Sequence, residues 1–529
     1  MKKRNTQHKN IHIMKVETTT LIVALLHCTI SLTYGSKILA LVPHPGKSHF
    51  DFFRPLFRGL ALAGHDMTVI SYFPNKEPIA NYTDVELTGM PIIANNIDLK
   101  IFENEQDLID FKVPTFFMIN GWGLEGCEAA FNSKAIKELL AKKEHYDVVL
   151  IEQFSNDCMM AIAHVLQAPV VALSSCAIMP WHYKRMGSPF IPSFMPVNFL
   201  PHTDEMTFFQ RLNNFFHYYA MNFLYDQITQ KATNEMIRKY LGDSIPPIEE
   251  LVLNTNAMLI NQHYSLTGSV PYAPGIVEIG GLQIQAPSPI DPDLKALLDA
   301  SHKGVIYISW GSMIRPETLS LDRREALLRA LSQFEETILM KWSNETLLNR
   351  PKNVYLRQWM PQREILCHPN VKVFLTHGGL LGTSESCHCG VPMVVTPIYG
   401  DQFLNSEAIK KRQIGTILRY KDMSEENIVK AIKKALSPEM QKNAKIIAYS
   451  FNNRPQTPLS LAIWWVEHVI QNKGLALAIN ESSNMSAISY NCLDIYAFLL
   501  VVILFIVWIN KKIIKFCIAL CKSGKSKKD

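Results

Sequence analysis

The stretch "VKVFLTHGGLLGTSESCHCGVPMVVTPIYGDQ", residues 371–402, reads as strand, glycine turn, helix and second strand. Val371 to Leu375 is apolar and of strand length, Gly378 and Gly379 break it, helical spacing starts at about Leu380, and "VPMVV" is apolar again. A unit of this kind predicts a parallel sheet. The rhythm is repeated upstream in "GVIYISWGS" (304–312) and "VYLRQWMPQ" (354–362), apolar strands that end in polar or glycine residues. In doubly wound sheets ligands bind off the carboxyl ends of the strands, so these endings should share one rim.

The N-terminal half carries a second series. "KILALVP" (37–43) is a buried strand, "HPGKSH" (44–49) a turn, "FDFFRPLFRGLALAG" (50–64) a helix and "HDMTVIS" (65–71) a strand, with further strands at "YDVVLIE" (146–152) and "PVVALSS" (169–175). The Pro-rich connector "IQAPSPIDPDLKALLD" (284–299) separates the two series. The expectation is α/β: one domain over 36–284 and another over 285–475. Asp291 and Asp293 in the connector could be a metal-binding pair, but prolines beside each acid favour turn and helix-cap chemistry.

A long helical stretch, about Met206 to Tyr240, holds Phe208, Phe209, Phe215, Phe216, Tyr218, Tyr219, Phe223 and Tyr225. Core packing is the ordinary reading, and an apolar acceptor pocket or a membrane-surface face is the other.

The termini differ from the middle. After Lys15, "TLIVALLHCTISLTYG" is too short to span a bilayer and ends in small residues, as a signal peptide cleaved after about Gly35 does; Met14 is a second candidate start. Near the other end "IYAFLLVVILFIVWINKK" (495–512) has an apolar core flanked by Tyr496 and Trp508, with lysines after it. It reads as a transmembrane helix over 493–512, followed by a basic cytosolic tail, 513–529, which places the rest of the chain on the lumenal side. Lys525 and Lys527 have the spacing of a dilysine retrieval signal, which points to the endoplasmic reticulum membrane. The net charge of +6 is no nucleic-acid signal, since seven lysines lie in 511–528.

Six cysteines, at 127, 158, 176, 367, 387 and 389, fall in the lumenal part, where pairing is possible but not deducible. There is no CxxC pair, HExxH or zinc-ligand spacing. Asn81, Asn344, Asn480 and Asn484 open glycosylation sequons.

The rim residues form a constellation. The amides that open the helix after Gly379 suit phosphate, Gly378 and Gly379 allow close backbone approach, and His377 can donate to a phosphate oxygen. Glu385, two turns into the helix, can accept from ribose hydroxyls. Asp401 and Gln402 serve a second polyhydroxylated ring. Trp359 offers a face for a base and Gln362 a polar partner. Ser309, Gly311, Ser312 and Gly382 complete the rim. Base, ribose, diphosphate and sugar read in order, so the ligand expected is a nucleotide sugar.

The spaced pattern from Trp359 to Gln402 resembles the signature of the UDP-glycosyltransferase family: tryptophan and glutamine, a His-x-Gly turn, glutamate eight residues on, and an Asp-Gln pair 24 and 25 after the histidine. Phrases such as "SHFDFFRPL" and "EQFSNDC" are most similar to insect members. The resemblance implies two facing Rossmann-like domains of the GT-B type, a UDP-sugar as co-substrate with no further cofactor and no metal, and inverting transfer by direct displacement. It implies small lipophilic acceptors, glucose rather than glucuronate as the usual insect sugar, and a lipophilic acceptor region in "SSCAIMPWHYKRMGSPFIPSFMPVNFL". Homo-oligomers are left open. Leu381 departs from the pattern, because many vertebrate relatives have asparagine there for phosphate.

The resemblance also favours His49 over His44 as the catalytic base, since it lies just ahead of the first helix, where the dipole disfavours protonation. Its carboxylate partner lies after the "DVVL" strand, where Glu152 and Asp157 compete and Asp157 is preferred. A non-catalytic lipophile carrier would predict a damaged rim, and an NAD enzyme would need a glycine fingerprint after the first strand.

Overall fold

The computed structural model describes residues 35–93, 97–103, 112–343, 347–475, 478–479 and 481–525. The expected leader, the sequons at Asn344 and Asn480, and Lys527 lie outside the described residues.

The first series forms a seven-stranded parallel sheet from β1 (Lys37–Val42), β2 (Asp66–Ser71), β3 (Tyr82–Glu86), β5 (Val148–Glu152), β6 (Val170–Ser174), β7 (Thr255–Ile260) and β8 (Ile276–Glu278), in the order β3-β2-β1-β5-β6-β7-β8. β1, β5 and β6 are buried almost throughout, as their unbroken apolar runs require of strands covered on both faces. The helix Lys47–Leu62 packs Phe50, Phe53, Leu56, Phe57 and Leu60 onto this sheet. Each large side chain buried in this way contributes about 1.5–3 kcal/mol.

The second series forms a six-stranded parallel sheet from β9 (Val305–Ser309), β11 (Thr337–Lys341), β12 (Val354–Arg357), β13 (Val371–Thr376), β14 (Met393–Val395) and β15 (Gly415–Ile417), in the order β12-β11-β9-β13-β14-β15. Between the sheets, Asp291 accepts hydrogen bonds from the amides of Asp293 and Leu294 and caps the helix Pro292–Ala300.

Two segments cross between the halves. β4 (Ile97–Asp98) pairs in parallel with β10 (Ile314–Arg315), and Ile97, Leu99 and Phe102 are buried in the second domain's core. Conversely the helix Pro458–Gln471 returns to the first domain, burying Ala462, Val466 and Val469 there. Each domain therefore carries part of the other's sequence half in its core.

Cys127 pairs with Cys158 and Cys367 with Cys389, while Cys176 and Cys387 are free thiols. The C-terminal helix Leu493–Lys525 is longer than the span expected over 493–512. Its apolar portion, Leu493–Ile518, has 26 residues and is the one described helix long and apolar enough to cross a membrane. At 1.5 Å per residue this is about 39 Å, more than the ~30 Å of a hydrocarbon core.

Candidate active site

A cleft of about 760 Å³ runs between the two sheets, along the carboxyl ends of their strands. It is lined by the HPGKSH turn and Glu385, Asp401 and Gln402 alike, so the residues of both sequence series meet in one place.

The first domain supplies a histidine and a carboxylate. β1 and β5 are neighbours with Leu41 opposite Ile151, so the strand-end residue Glu152 emerges beside the turn that leads from β1 into the helix Lys47–Leu62. There His49 Nδ1 lies 2.7 Å from Glu152 Oε1. The other carboxylate oxygen of Glu152 is buried and has no hydrogen-bond partner among the described residues. Burial raises the Glu152 carboxyl to about 7 and lowers His49 to about 3. The His44 ring lies tilted beside that of His49, 4.2 Å between centres, and burial lowers it as well, to about 3.

The preference for Asp157 is corrected. Asp157 lies beyond the strand end, in the turn before the helix Met159–Val165, where its oxygens accept from Arg185 Nη1 and Nη2, both at 2.8 Å, and from the Tyr225 hydroxyl at 2.7 Å. Burial pushes this carboxyl up, but the Arg185 charge and these hydrogen bonds outweigh it and hold Asp157 below its ordinary value. It is a buried structural ion pair, and the partner of His49 is Glu152.

The second domain supplies the rest. After β13, His377 is set between two glycines: a Cβ on Gly311 would come 2.6 Å from its Cε1, and one on Gly379 2.5 Å from its Nε2. Gly378 has φ +86° and a Cβ there would stand 2.6 Å from Val395, so the turn needs glycine on conformational and steric grounds. The helix Leu380–Cys389 that follows has no side-chain cap, which leaves its first amides to a ligand. Burial, with the charge of Lys341, lowers His377 to about 4, so the ring is neutral near pH 7.

Gln362 Nε2 donates to Glu385 Oε2 at 2.7 Å, which ties the two side chains together in the cleft, and burial raises Glu385 to about 7. Gln402 is fixed by two backbone amides, Ile398 and Tyr399, that donate to its carbonyl oxygen, so its NH2 is the end that can donate. Asn405 bridges the Gly378 carbonyl and the Asp401 carboxylate, and burial raises Asp401 to about 6. Ser309, Gly311, Ser312 and Gly382 also line the cleft.

Two residues were missed in the sequence. Lys341, at the end of β11, donates to the Gly311 carbonyl at 2.7 Å and lies 4.7 Å from the centre of the exposed Trp359 ring. Lys47, from the other domain, lies 5.8 Å from the same ring. Burial, then the charge of Lys47, lowers Lys341. The strand-end rule would have found Lys341 had "TILMK" been read as a strand. Leu381, where a phosphate-binding asparagine is absent, packs instead against the first domain's apolar core.

Comparison with known proteins agrees with this geometry. The family model described as "UDP-glucoronosyl and UDP-glucosyl transferase" matches residues 95–528. The chain is 32% identical over 491 residues to UDP-glycosyltransferase UGT5 of Dactylopius coccus, covering 91% of this chain and 92% of that one. It is 31% identical over 520 residues to UDP-glucosyltransferase 2 of the same insect, covering 97% and 100%, and 27% identical over 529 residues to human UDP-glucuronosyltransferase 1A1, covering 96% and 97%. Among solved structures the glycotransferase of kitacinnamycin superposes with a TM-score of 0.55 at 16% identity, covering 83% of this chain and all of that one, which shows a common GT-B fold. The chain belongs to the UDP-glucuronosyl and UDP-glucosyl transferase family and is a glycosyltransferase.

Proposed function

We propose that this family member transfers a hexose, glucose, from its UDP-sugar to a hydroxyl of a small lipophilic acceptor, with inversion and without a metal. The observation that carries the reading is that the His49–Glu152 pair and the Trp359 to Gln402 constellation face one another across a single cleft. Nδ1 of neutral His49 donates to Glu152, and Nε2 is then free to take the acceptor's proton. As that proton moves, the acceptor oxygen bonds to the anomeric carbon and the bond from that carbon to the diphosphate oxygen breaks. The electron pair leaves with UDP. The resulting imidazolium is stabilised by the Glu152 carboxylate, as in other histidine–carboxylate pairs. The leaving diphosphate faces the uncapped helix amides, His377 and the two cations Lys341 and Lys47.

A neutral sugar suits the site better than glucuronate. Asp401 and Glu385 already put two buried carboxyl groups on the cleft, and a third would meet like charge in a dry setting. The lipophilic acceptor is supported by the apolar floor, where Met118, Ile119, Phe154, Met179 and Phe199 line the first-domain side. The apolar helix Leu493–Lys525 and the lysines after it support a lumenal enzyme held in the endoplasmic reticulum membrane by one span.

The test is UDP release by membranes carrying the protein, with UDP-glucose, UDP-glucuronate and UDP-galactose each offered beside phenols, flavonoids and steroids. Release with UDP-glucose that His49→Ala abolishes is expected. Equal or greater release with UDP-glucuronate would overturn the choice of sugar, and no release with any pair would overturn the transferase reading for these acceptors.

A further inference from the structure

Of the eight aromatic side chains in the long helical stretch, Tyr218 and Tyr225 pack in the core as ordinary packing predicts, and the other six are exposed. The helix Phe208–Leu224 starts in a capping box at Thr207 and Gln210 and buries Asn214, Tyr218 and Met221. At about 100° per residue, Phe208, Phe209, Phe215, Phe216, Tyr219 and Phe223 fall in one arc of about 120°, on the side opposite those buried residues. All six are exposed, Phe209 by 77%, Phe216 by 60% and Phe223 by 64%. No Asp or Glu occurs from Thr207 to Tyr225. Contiguous aromatic surface of this kind is rare on a soluble face.

The same helix stands at the root of the apolar C-terminal helix. The Tyr219 hydroxyl, within the exposed arc, donates to Asn491 Oδ1 at 3.1 Å, two residues before Leu493, where the span begins. The Tyr490 hydroxyl donates to the Ser188 carbonyl at 3.2 Å and fixes the same junction to the first domain. The chain thus enters the bilayer beside the aromatic arc, and tyrosine and phenylalanine are side chains that settle at a lipid headgroup boundary.

We propose that the outward face of Phe208–Leu224 lies in the headgroup and upper acyl region of the bilayer that the span crosses, as a second contact with the same membrane. The inference rests on the reading of Leu493–Ile518 as a membrane span. Lipid is the occupant because the arc is continuous with the start of that span. The buried side of the helix, through Tyr218 and Met221, packs in the apolar cluster that includes Ile119, Phe154, Met179 and Phe199 of the cleft. A lipophile dissolved in the membrane would therefore reach the acceptor side through a short apolar layer.

The test uses the full chain in phosphatidylcholine vesicles containing a lipid with a diazirine in its acyl chain, followed by photolysis and peptide mapping. Label is expected on 208–224 and on 493–518, each at least about tenfold above the helix Pro438–Asn452, which also exposes Ile446 and Tyr449 but is apart from the span. The triple variant Phe209→Asn, Phe216→Asn, Phe223→Asn should lose about tenfold of the label on 208–224 and keep it on 493–518. Label on 493–518 with only background on 208–224 would overturn the proposal, as would crosslinks joining 208–224 of two chains. Label on neither would overturn the span itself. Should the triple variant fail to fold, the labelling of the unaltered chain decides.

Discussion

Glu152→Gln is the most direct probe of the catalytic pair. Glutamine keeps the shape and can still accept the hydrogen bond from His49 Nδ1, now 2.7 Å from Glu152 Oε1, but it removes the negative charge. In the proposed mechanism His49 gains a proton in the transition state. Two unit charges whose centres lie about 4 Å apart attract by about 4 kcal/mol at an effective dielectric of about 20, and the retained hydrogen bond returns about 1 kcal/mol. A net loss of about 3 kcal/mol is about a hundredfold in kcat/KM. The pH profile gives a second reading. Burial raises Glu152 to about 7 and lowers His49 to about 3, so the reactive form, neutral histidine with ionised glutamate, is gained as pH rises through about 7 and lost below it. Steady-state kinetics with UDP-glucose and a phenol should show that acid limb in the wild type and not in Glu152→Gln, while UDP affinity stays within about twofold. A loss below about fivefold, or an unchanged acid limb in the variant, would refute the pairing.

Other substitutions separate structure from chemistry. Asp157→Asn leaves Arg185 buried without its countercharge, which costs about 3–5 kcal/mol, so thermal unfolding should shift down by roughly 10 °C while the folded fraction loses far less kcat/KM than Glu152→Gln does. Lys341→Met removes a partly buried cation from the diphosphate side. UDP titration should show affinity weakened between about tenfold and a hundredfold, with a shallower salt dependence. Trp359→Ala removes the stacking face, worth about 1–3 kcal/mol per base, and should raise the KM for UDP-glucose by about tenfold or more with little change in kcat.

Strands covered on both faces are unbroken apolar runs, and that is why both parallel sheets could be read from the chain. Where a strand ends, the next residue lies on the rim. His377, Glu385, Asp401 and Gln402 were placed on the rim in this way, and they line the cleft together with His49, which the family resemblance favoured. The same logic reaches only as far as strands that are recognised, and Lys341 was missed with its strand. Glu152 against Asp157 was a question of which of two acids lies level with the β1 turn, and this depends on register between β1 and β5, which one sequence does not reveal. The crossings of β4 and of Pro458–Gln471 rest on contacts between positions more than 200 residues apart, beyond any local pattern. The aromatic helix failed for the opposite reason. Its periodicity was legible, but periodicity gives one apolar face and not which solvent, protein core or lipid, that face meets.

Burial makes the acids in and beside the cleft costly to ionise. Glu152, Glu385 and Asp401 are all raised, to about 7, 7 and 6, each chiefly by desolvation. An acid whose folded value is raised holds its proton more tightly folded than unfolded. Its contribution to stability is therefore lost as pH climbs from the ordinary carboxylate range to about 7, and the ionised site stays at a deficit above that. Sugar and ribose hydroxyls are donors, and donation to an ionised carboxylate offsets the desolvation that raised it. In the proposed function a donor with neutral rings relieves Glu385 and Asp401, which line the cleft, whereas a uronate ring would bring a further carboxylate to them. Of the cations that line the cleft, Lys341 and Lys47 lie at the Trp359 side, where the proposed function puts the base and diphosphate and so the charge of the leaving group.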